Sequence, residues 1–560
     1  MVHDGRMFSV PGAYRRHARP AGLHDASQRR DAHRRSHPPG GRLMTTVDVL
    51  IVGAGPAGLA AAREAADAGL SVGLVDENPL PGGQIYRNVT ASPLDDPAAV
   101  FGSDYLMGRP LADRLPTDRL LYLPATQVWQ VTPENVVYLL TQNNGQGASS
   151  RAGDGLRQVQ ARFILLCVGA LERPLPLPGW TLPGAMTVGA AQLLMKSAGL
   201  LPPQDSVLLG NGPLLLLFAA QVIRAGGRIQ AIVETTTPRH YLRALRFLAA
   251  SARHTPGYLL KGSRLLWDIR QAGIPCFTGA SALTIAGEQQ VEAVEFEHKG
   301  RRRRLATGAV FSHAGVIPAT QLAAALGCRL RFDEQHQYWL PELDEWQQTS
   351  RPGVFVAGDA AGIIGAGAAP ASGRLAVLGI IRAAGIRRAA PPAATQAYSS
   401  RIAQLPPDRP DIDPPASAVI LSRTAALRRE LARHAAIRPF LSALYPPPCV
   451  VDEPADDVIL CRCEQVSVGD IRAAARAGCA GVNQLKVFTR CGMGACQGRI
   501  CGAMAASILA LTRRQPISDA GYFHARFPLK PITLGAIAAS YDDATSSQTE
   551  GNPVEKAGGS

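Results

Sequence analysis

The chain has no apolar run long enough to cross a membrane. Its best stretch, Val207 to Ile223, is interrupted by Gly210, Asn211, Gly212 and Pro213, whereas a span needs about 20 predominantly apolar residues. The N-terminus lacks an apolar core segment, and its arginine pairs lack the rest of an export signal, so no secretory leader is expected. Cysteine is scarce, ten in 560 residues with six of them between 461 and 501, too few for a disulfide scaffold. Residues 44–450 contain no Cys-x2-Cys or Cys-x4-Cys, which removes the dithiol that disulfide-reductase chemistry needs. Also missing are a nucleophile–base pair, an obvious proton acceptor for amine chemistry, and any basic–aromatic alternation of the kind that binds single-stranded nucleic acid. These gaps point to a cytoplasmic protein with no integral membrane segment and no nucleic-acid partner.

What is present is a globular composition, 46% hydrophobic and 18% charged, on a chain with room for two to four domains. The net charge is +14, but residues 1–43 hold nine Arg against three Asp and so supply +6 of it. That balance reads as an Arg-rich tail and a solvated surface. Met44-Thr-Thr-Val47 resembles a natural start, and residues 1–43 read as a disordered or mis-called extension.

The organising stretch is Val47-Asp-Val-Leu-Ile-Val-Gly-Ala-Gly-Pro-Ala-Gly58, then an Ala-rich helix and Val72-Gly-Leu-Val-Asp-Glu77. It reads as strand, glycine turn, helix, strand, acid: the first unit of a dinucleotide-binding fold. Gly53 permits the turn, Gly55 lets the backbone approach a pyrophosphate, and Gly58 allows close helix–strand packing. Pro56 and Ala57 open the helix whose N-terminal amides bind phosphate. Asp76, with Glu77 beside it, can accept a ribose hydroxyl. The loop Asn78-Pro-Leu-Pro-Gly-Gly-Gln84 follows, so Gly82, Gly83 and Gln84 are further cofactor candidates. Val128, on the strand Gln127–Val131, and Gly169, at the end of the buried strand that starts at Arg162, complete this set. Gln142 to Gly155 forms a polar loop.

A second glycine turn, Gly210-Asn-Gly-Pro-Leu-Leu215, repeats the layout with Glu234 in the acidic slot. Its third glycine position is Leu215, whose branched side chain should hold the helix away from the strand, so NAD(P) binding there is open. A helix is expected over Leu259 to Ala272, then a meander with a basic hairpin at His298 to Arg304. Gly353-Val-Phe-Val-Ala-Gly-Asp359 is a short buried strand ending in Gly358-Asp359 and leading into a glycine-rich helix start, Gly362 to Ser372. Asp359 can bond a ribityl hydroxyl or cap a helix. Because FAD is the ligand whose site is split between an N-terminal turn and a C-terminal Gly-Asp strand, FAD is the expected guest of the first turn.

After a Pro/Ala/Arg-rich connector, Cys461, Cys463, Cys491 and Cys496 give Cys-x-Cys, 27 residues, then Cys-x4-Cys. Four thiolates in two paired loops suit a [2Fe–2S] cluster or a tetrahedral zinc. Zinc knuckles favour Cys-x2-Cys, and beside a flavin an electron carrier is the better match. Cys479 and Cys501 are spare, Cys501 being near enough to serve as an alternative ligand. Ser467 with Asp470 reads as a capping box opening a helix to Ala477, with Gly478 after it.

The first glycine turn, Glu172-Arg-Pro with Pro178-Gly-Trp-Thr-Leu-Pro-Gly184, Gly358-Asp-Ala-Ala-Gly362 and the cysteine block together resemble one family over about residues 45–540. It is the FAD-containing alpha-type subunits of heteromeric amine and imino-acid dehydrogenases. This group takes in the A component of opine oxidase, the B component of hydrogen cyanide synthase and the alpha component of D-hydroxyproline dehydrogenase. Sarcosine oxidase alpha is a more distant relative, and its extra folate-type domain has no room here. The resemblance implies an α/β fold: two dinucleotide-binding (Rossmann-like) domains of the pyridine nucleotide-disulfide oxidoreductase type, plus a small helical [2Fe–2S]-binding domain like bacterioferritin-associated ferredoxin. The expected order is a first FAD-binding part at 44–199, an NAD-type domain at 200–310, a second FAD-binding part at 311–395 and a connector at 396–455. The [2Fe–2S]-binding domain at 456–512, an extended segment at 513–540 and a disordered tail at 541–560 follow.

The resemblance also implies partners. A D-amino-acid-dehydrogenase-type flavoprotein subunit oxidises the C–N bond, a small [2Fe–2S] ferredoxin-like subunit often joins it, and partners can place the chain peripherally at the inner membrane. This chain is then an FAD-dependent oxidoreductase subunit relaying electrons from an amine, opine or imino acid. The alternatives are a self-sufficient NAD(P)H-dependent flavin reductase and, outside enzymes, a zinc-bound interaction module. No catalytic residue is named.

Overall fold

The computed structural model describes residues 45–113, 115, 118–141, 156–389, 417–447 and 454–535. The expected extension at 1–43, the polar loop Gln142–Gly155 and the tail at 541–560 lie outside the described residues. Strand β1 (Thr45–Val52), helix α1 (Pro56–Asp67) and strand β2 (Val72–Val75) form the first unit. Val49, Leu50 and Ile51 are fully buried, as a parallel strand covered on both faces requires. The sheet runs Leu120–Leu123, β2, β1, Leu156–Leu166, Val136–Thr141, Thr126–Val131, and Val354–Val356 returns from far along the chain to pair with Leu156–Leu166. Its centre is parallel, while Thr126–Val131, Val136–Thr141 and Leu156–Leu166 pair antiparallel. Phe163 and Phe355, on adjacent strands, meet edge to face at 6.2 Å.

The second sheet is parallel throughout, in the order Cys276–Thr278, Ala231–Glu234, Val207–Asn211, Val310–Ala314, Ala185–Thr187. An antiparallel meander of Ser281–Ala286, Ala293–His298 and Arg301–Ala306 follows it, with the basic run on its last strand. Thr187 caps the helix Val188–Ala198, which leaves through Gly199 in the left-handed region. The expected helix at Leu259 runs over Pro256–Gln271 and is preceded by another, Pro238–His254. Each begins on a proline, which fits the first helical position because its missing N–H has no helical partner there. In the connector, helices span Ser417–Ala435 and Arg438–Leu444.

The C-terminal part has its own apolar cluster, built on Leu460, Ile471, Leu485, Leu509 and Phe523. Helix Val468–Arg476 opens with the capping box: Ser467 N donates to Asp470 Oδ2 (2.9 Å) and Asp470 N to Ser467 Oγ (3.1 Å). Gly478 follows at φ +98°. Two contacts reach this part from the second sheet's side, Trp180 Nε1 donating to Ile459 O (2.6 Å) and the Arg462 guanidinium lying over the Trp180 ring.

Candidate functional site

The first turn is held open by glycine at three close approaches. Gly53 stands at φ +107° and its amide donates to Val75 O at 2.7 Å. A Cβ there would come within 2.4 Å of the Cys167 carbonyl oxygen, and one on Gly58 within 1.9 Å of the Gly53 carbonyl oxygen. Gly55 is the N-cap, with Pro56 and Ala57 beginning the helix. The following loop folds back over the turn: Gly82 N donates to Ala54 O (2.8 Å), and a Cβ on Gly83 would lie 2.9 Å from Gly55 Cα. The cradle is therefore bare backbone at the N-terminus of a helix, the chemistry an anionic phosphate needs.

Asp76 is 7% exposed and fixes this geometry. Its Oδ2 accepts from Ala54 N (2.6 Å), and its Oδ1 from both Asn78 N and Asn78 Nδ2 (2.7 Å each). A ribose hydroxyl would share those oxygens. Glu77 forms an ion pair with Lys530 of the C-terminal segment. Gln84 Nε2 reaches Ala170 O (3.2 Å), next to Gly169 at φ +70°. Val128 sits in an apolar cluster with Val75 and Leu123, two residues beyond Thr126, whose amide donates to Asp76 O (2.8 Å).

Gly358 comes back to the same place. A Cβ on it would lie 2.9 Å from Ala57 Cβ, and one on Gly373 only 2.1 Å from Ala57 O, so helix Ala369–Ala389 packs tightly on α1. The expected helix start at Gly362 is not found. Asp359 lies in a short 3-10 turn, Gly358–Ala360, and its Oδ1 accepts from Ile364 N (2.9 Å) and Gly365 N (2.8 Å), stabilising a glycine-rich loop before the helix begins at Ala369. Asp359 Oδ2 has no protein partner among the described residues and can accept a ligand hydroxyl.

Three residues to which the sequence alone gave no part in the site support this region. Lys196, 3% exposed, donates to Gln84 O (3.3 Å), Ile85 O (2.9 Å) and Gln192 Oε1 (3.0 Å), fastening the second loop to helix Val188–Ala198. Burial, reinforced by the Arg87 guanidinium, pushes its ammonium down to about 7. At the other end of that helix, Glu172 accepts from Gly189 N (2.7 Å) and pairs with His313 Nδ1 (2.5 Å). A lysine at a helical core position and an acid and histidine 141 residues apart carry no local signal.

The second turn is present and covered. Gly210, Asn211 and Gly212 are buried. A Cβ on Gly210 would lie 1.9 Å from His313 O, and one on Gly212 3.0 Å from the His313 ring. Leu215 is fully buried in the apolar core. Asn211 Nδ2 donates to Pro446 O (3.1 Å), which brings the connector onto the turn.

Five thiols gather in the C-terminal loops. Cys461, Cys491 and Cys501 are buried with their sulfurs within 4.8 Å of one another, Cys491 and Cys501 at 3.8 Å. Hydrogen bonds from Cys491 and then Cys501 hold the Cys461 thiol well below its usual range, and the same contacts push theirs up. Of the four expected ligands, Cys461 and Cys491 join this trio. Exposed Cys463 and half-buried Cys496 pair with each other beside it. The spare Cys501 completes the trio. Three buried sulfurs at these separations, with two more adjacent, suit a thiophilic metal centre. The loops wrap Phe523: a Cβ on Gly492 or Gly498 would strike its ring at 2.8 or 2.4 Å.

Comparison with known proteins agrees with this geometry. Residues 47–383 match the family model of pyridine nucleotide-disulphide oxidoreductases, and residues 459–541 that of the sarcosine oxidase A3 domain. The chain is 41% identical over 496 residues to the A component of opine oxidase from Rhizobium meliloti, covering 88% of this chain and 99% of that protein. It is 31% identical to hydrogen cyanide synthase subunit HcnB of Pseudomonas aeruginosa, covering 87% and 97%. An L-proline dehydrogenase structure from P. horikoshii shares the fold, with TM-score 0.58 and 20% identity over 88% of this chain and 80% of that one. None of the described helices is long and apolar enough to cross a membrane. The chain belongs to the pyridine nucleotide-disulphide oxidoreductase family, a flavin-binding family of oxidoreductases, within the group that holds HcnB and the A component of opine oxidase.

Proposed function

We propose that this chain is the electron-handling subunit of a heteromeric oxidoreductase acting on an amine, opine or imino acid. FAD is held at the first turn by Gly53, Gly55, Gly58, Gly82, Gly83, Asp76 and Asp359. A [2Fe–2S] cluster is held by four of the thiols Cys461, Cys463, Cys491, Cys496 and Cys501. When bound, these groups exchange electrons in pairs and singly, linking a two-electron oxidation to one-electron carriers. The chain's own residues bind and orient. α1 presents amides to phosphate, Asp359 offers an oxygen to a sugar hydroxyl, and the apolar cluster around Phe523 keeps water from the buried sulfurs.

The observation that carries this reading is the junction of the two sites in one unit. Gln321 Nε2 donates to Cys496 O (3.0 Å) and Gln497 O (3.2 Å), and Gln497 in turn holds Arg526 and Pro528, just before the Lys530–Glu77 pair. A dithiol mechanism is not supported: Cys167, near the first turn, is buried and burial pushes its thiol up. Substrate oxidation then falls to a partner, a D-amino-acid-dehydrogenase-type flavoprotein subunit, and a further carrier is a small ferredoxin-like subunit. The named relatives are themselves subunits, of opine oxidase and of hydrogen cyanide synthase.

The test is the purified single chain. Flavin and iron–sulfur absorbance without turnover of amines, opines or imino acids supports the division of labour, and turnover by this chain alone would sink it. Zinc in place of iron and labile sulfide would favour an interaction module. Rapid anaerobic bleaching of the flavin by NADH would restore the reductase reading, against which the covered second turn stands.

A further inference from the structure

The second glycine turn is blocked rather than dismantled. Strand Val207–Asn211, the turn and helix Pro213–Arg224 are all formed, and Glu234 ends the next strand in the acidic slot. Yet Asn211 and Glu234 are only 5% and 6% exposed. Residues 438–447 of the connector reach the turn at Pro446, and three contacts fasten this segment. Pro446 O accepts from Asn211 Nδ2 at 3.1 Å. Leu444, 7% exposed, lines an apolar groove with Tyr241, Leu245 and Leu248. Ser442 Oγ lies 3.1 Å from His336 Nε2, tying the segment's far side to the hairpin Leu330–Asp333 and Tyr338–Pro341.

Tyr445 is the residue between the groove anchor and the turn anchor. Burial, then the charge of the Glu234 carboxyl, then Tyr241 push its phenol up, in keeping with a segment that lies on the same side of the domain as the acidic slot. Burial raises the Glu234 carboxyl as well, the condition of an acid sheltered from water. In a dinucleotide domain the acid at this position receives the adenosine ribose. A nucleotide laid along this turn would meet the segment at Pro446, which already holds Asn211.

We propose that residues 438–447 are an intramolecular cap on the second dinucleotide turn, seated where the adenosine half of a nucleotide would lie, so that an adenine nucleotide binds there only when the cap is displaced. The closed cap lowers apparent affinity by the fraction of molecules in which it is closed. A partner or modification that draws the connector away would open the site, giving the enzyme a nucleotide response that the resting chain lacks. The inference rests on the first turn being filled by flavin, which leaves the second turn as the free nucleotide site.

Flavin-loaded full-length protein, with its flavin content measured beforehand so that an empty first turn is recognised, is titrated with ADP and with NADH by calorimetry. Leu444→Asp breaks the groove anchor, and replacement of 438–447 by a Gly/Ser linker of equal length removes the cap. Both variants should bind at least one of the two nucleotides at least about tenfold more tightly than wild type, with unchanged flavin content. Adding Glu234→Ala to the linker variant should reverse the gain. Two results would overturn the cap: wild type binding as tightly as the linker variant, or a linker variant with wild-type flavin content and melting temperature that binds neither nucleotide.

Discussion

Gln321, at the start of a short helix beside the first domain's core, donates its side-chain amide to the carbonyl oxygens of Cys496 and Gln497 at 3.0 and 3.2 Å. It is 8% exposed, and the residues whose carbonyls it serves are half-buried. Gln321→Met keeps the volume and removes the donor. Leaving buried acceptors unpaired costs about 1–3 kcal/mol. The variant should keep its flavin but lose iron faster than wild type under chelator challenge, followed by the decay of visible absorbance. Equal rates would show that the cysteine loop holds itself.

Gly58→Val should abolish the first site. A Cβ alone falls 1.9 Å from the Gly53 carbonyl oxygen, and neither backbone can withdraw without parting α1 from β1. Flavin per chain should drop to background. Gly226→Ala is the comparison, with open space around its Cβ and only the strain of φ +79° to bear, and it should retain flavin. Comparable flavin content in both variants would remove the turn from the binding site.

Cys501→Ser tests which thiols matter. The sulfur of Cys501 is buried 3.8 Å from that of Cys491, whereas Cys276 is exposed and distant in sequence from the other cysteines. Cys491→Ser and Cys501→Ser should each lose most of the iron and labile sulfide, while Cys276→Ser keeps both. If Cys501→Ser retains full iron and Cys463→Ser or Cys496→Ser loses it, the cluster rests on the Cys-x-Cys and Cys-x4-Cys set.

The first glycine turn was legible because its meaning is local: each glycine answers a contact within a few residues of chain or across one strand pair. The capping box Ser467–Asp470 was legible for the same reason. The position of the helix after Asp359 was misread, since a glycine-rich run suits an extended loop as well as a helix start, and two backbone amides claim the Asp359 oxygen first. Leu215 flagged a departure in the second turn, but its burial is a matter of core packing, and the contact that covers the turn comes from Pro446, 235 residues away. Spacing alone could not rank Cys501 against Cys463 and Cys496, because the choice depends on how three helices bring two loops together. The Glu172–His313 pair and Lys196 exist only as tertiary contacts.

Lys196 makes the last prediction, a dependence of stability on pH. Unfolded, its ammonium titrates near 10.5; folded, burial and Arg87 bring it to about 7. Between those values the unfolded chain holds a proton that the fold has released, so this group makes stability rise with pH across that window. Below pH 7 both states carry the proton and the penalty for burying the charge is felt in full. Above pH 10.5 neither does and the penalty is gone. Lys196→Met removes the titration and also the donors to Gln84 O and Ile85 O. Urea midpoints measured from about pH 6.5 to about pH 9.5 should therefore show wild type gaining on the variant as pH rises. A constant difference between the two proteins would mean that Lys196 stays charged in the fold, its three oxygen acceptors outweighing its burial.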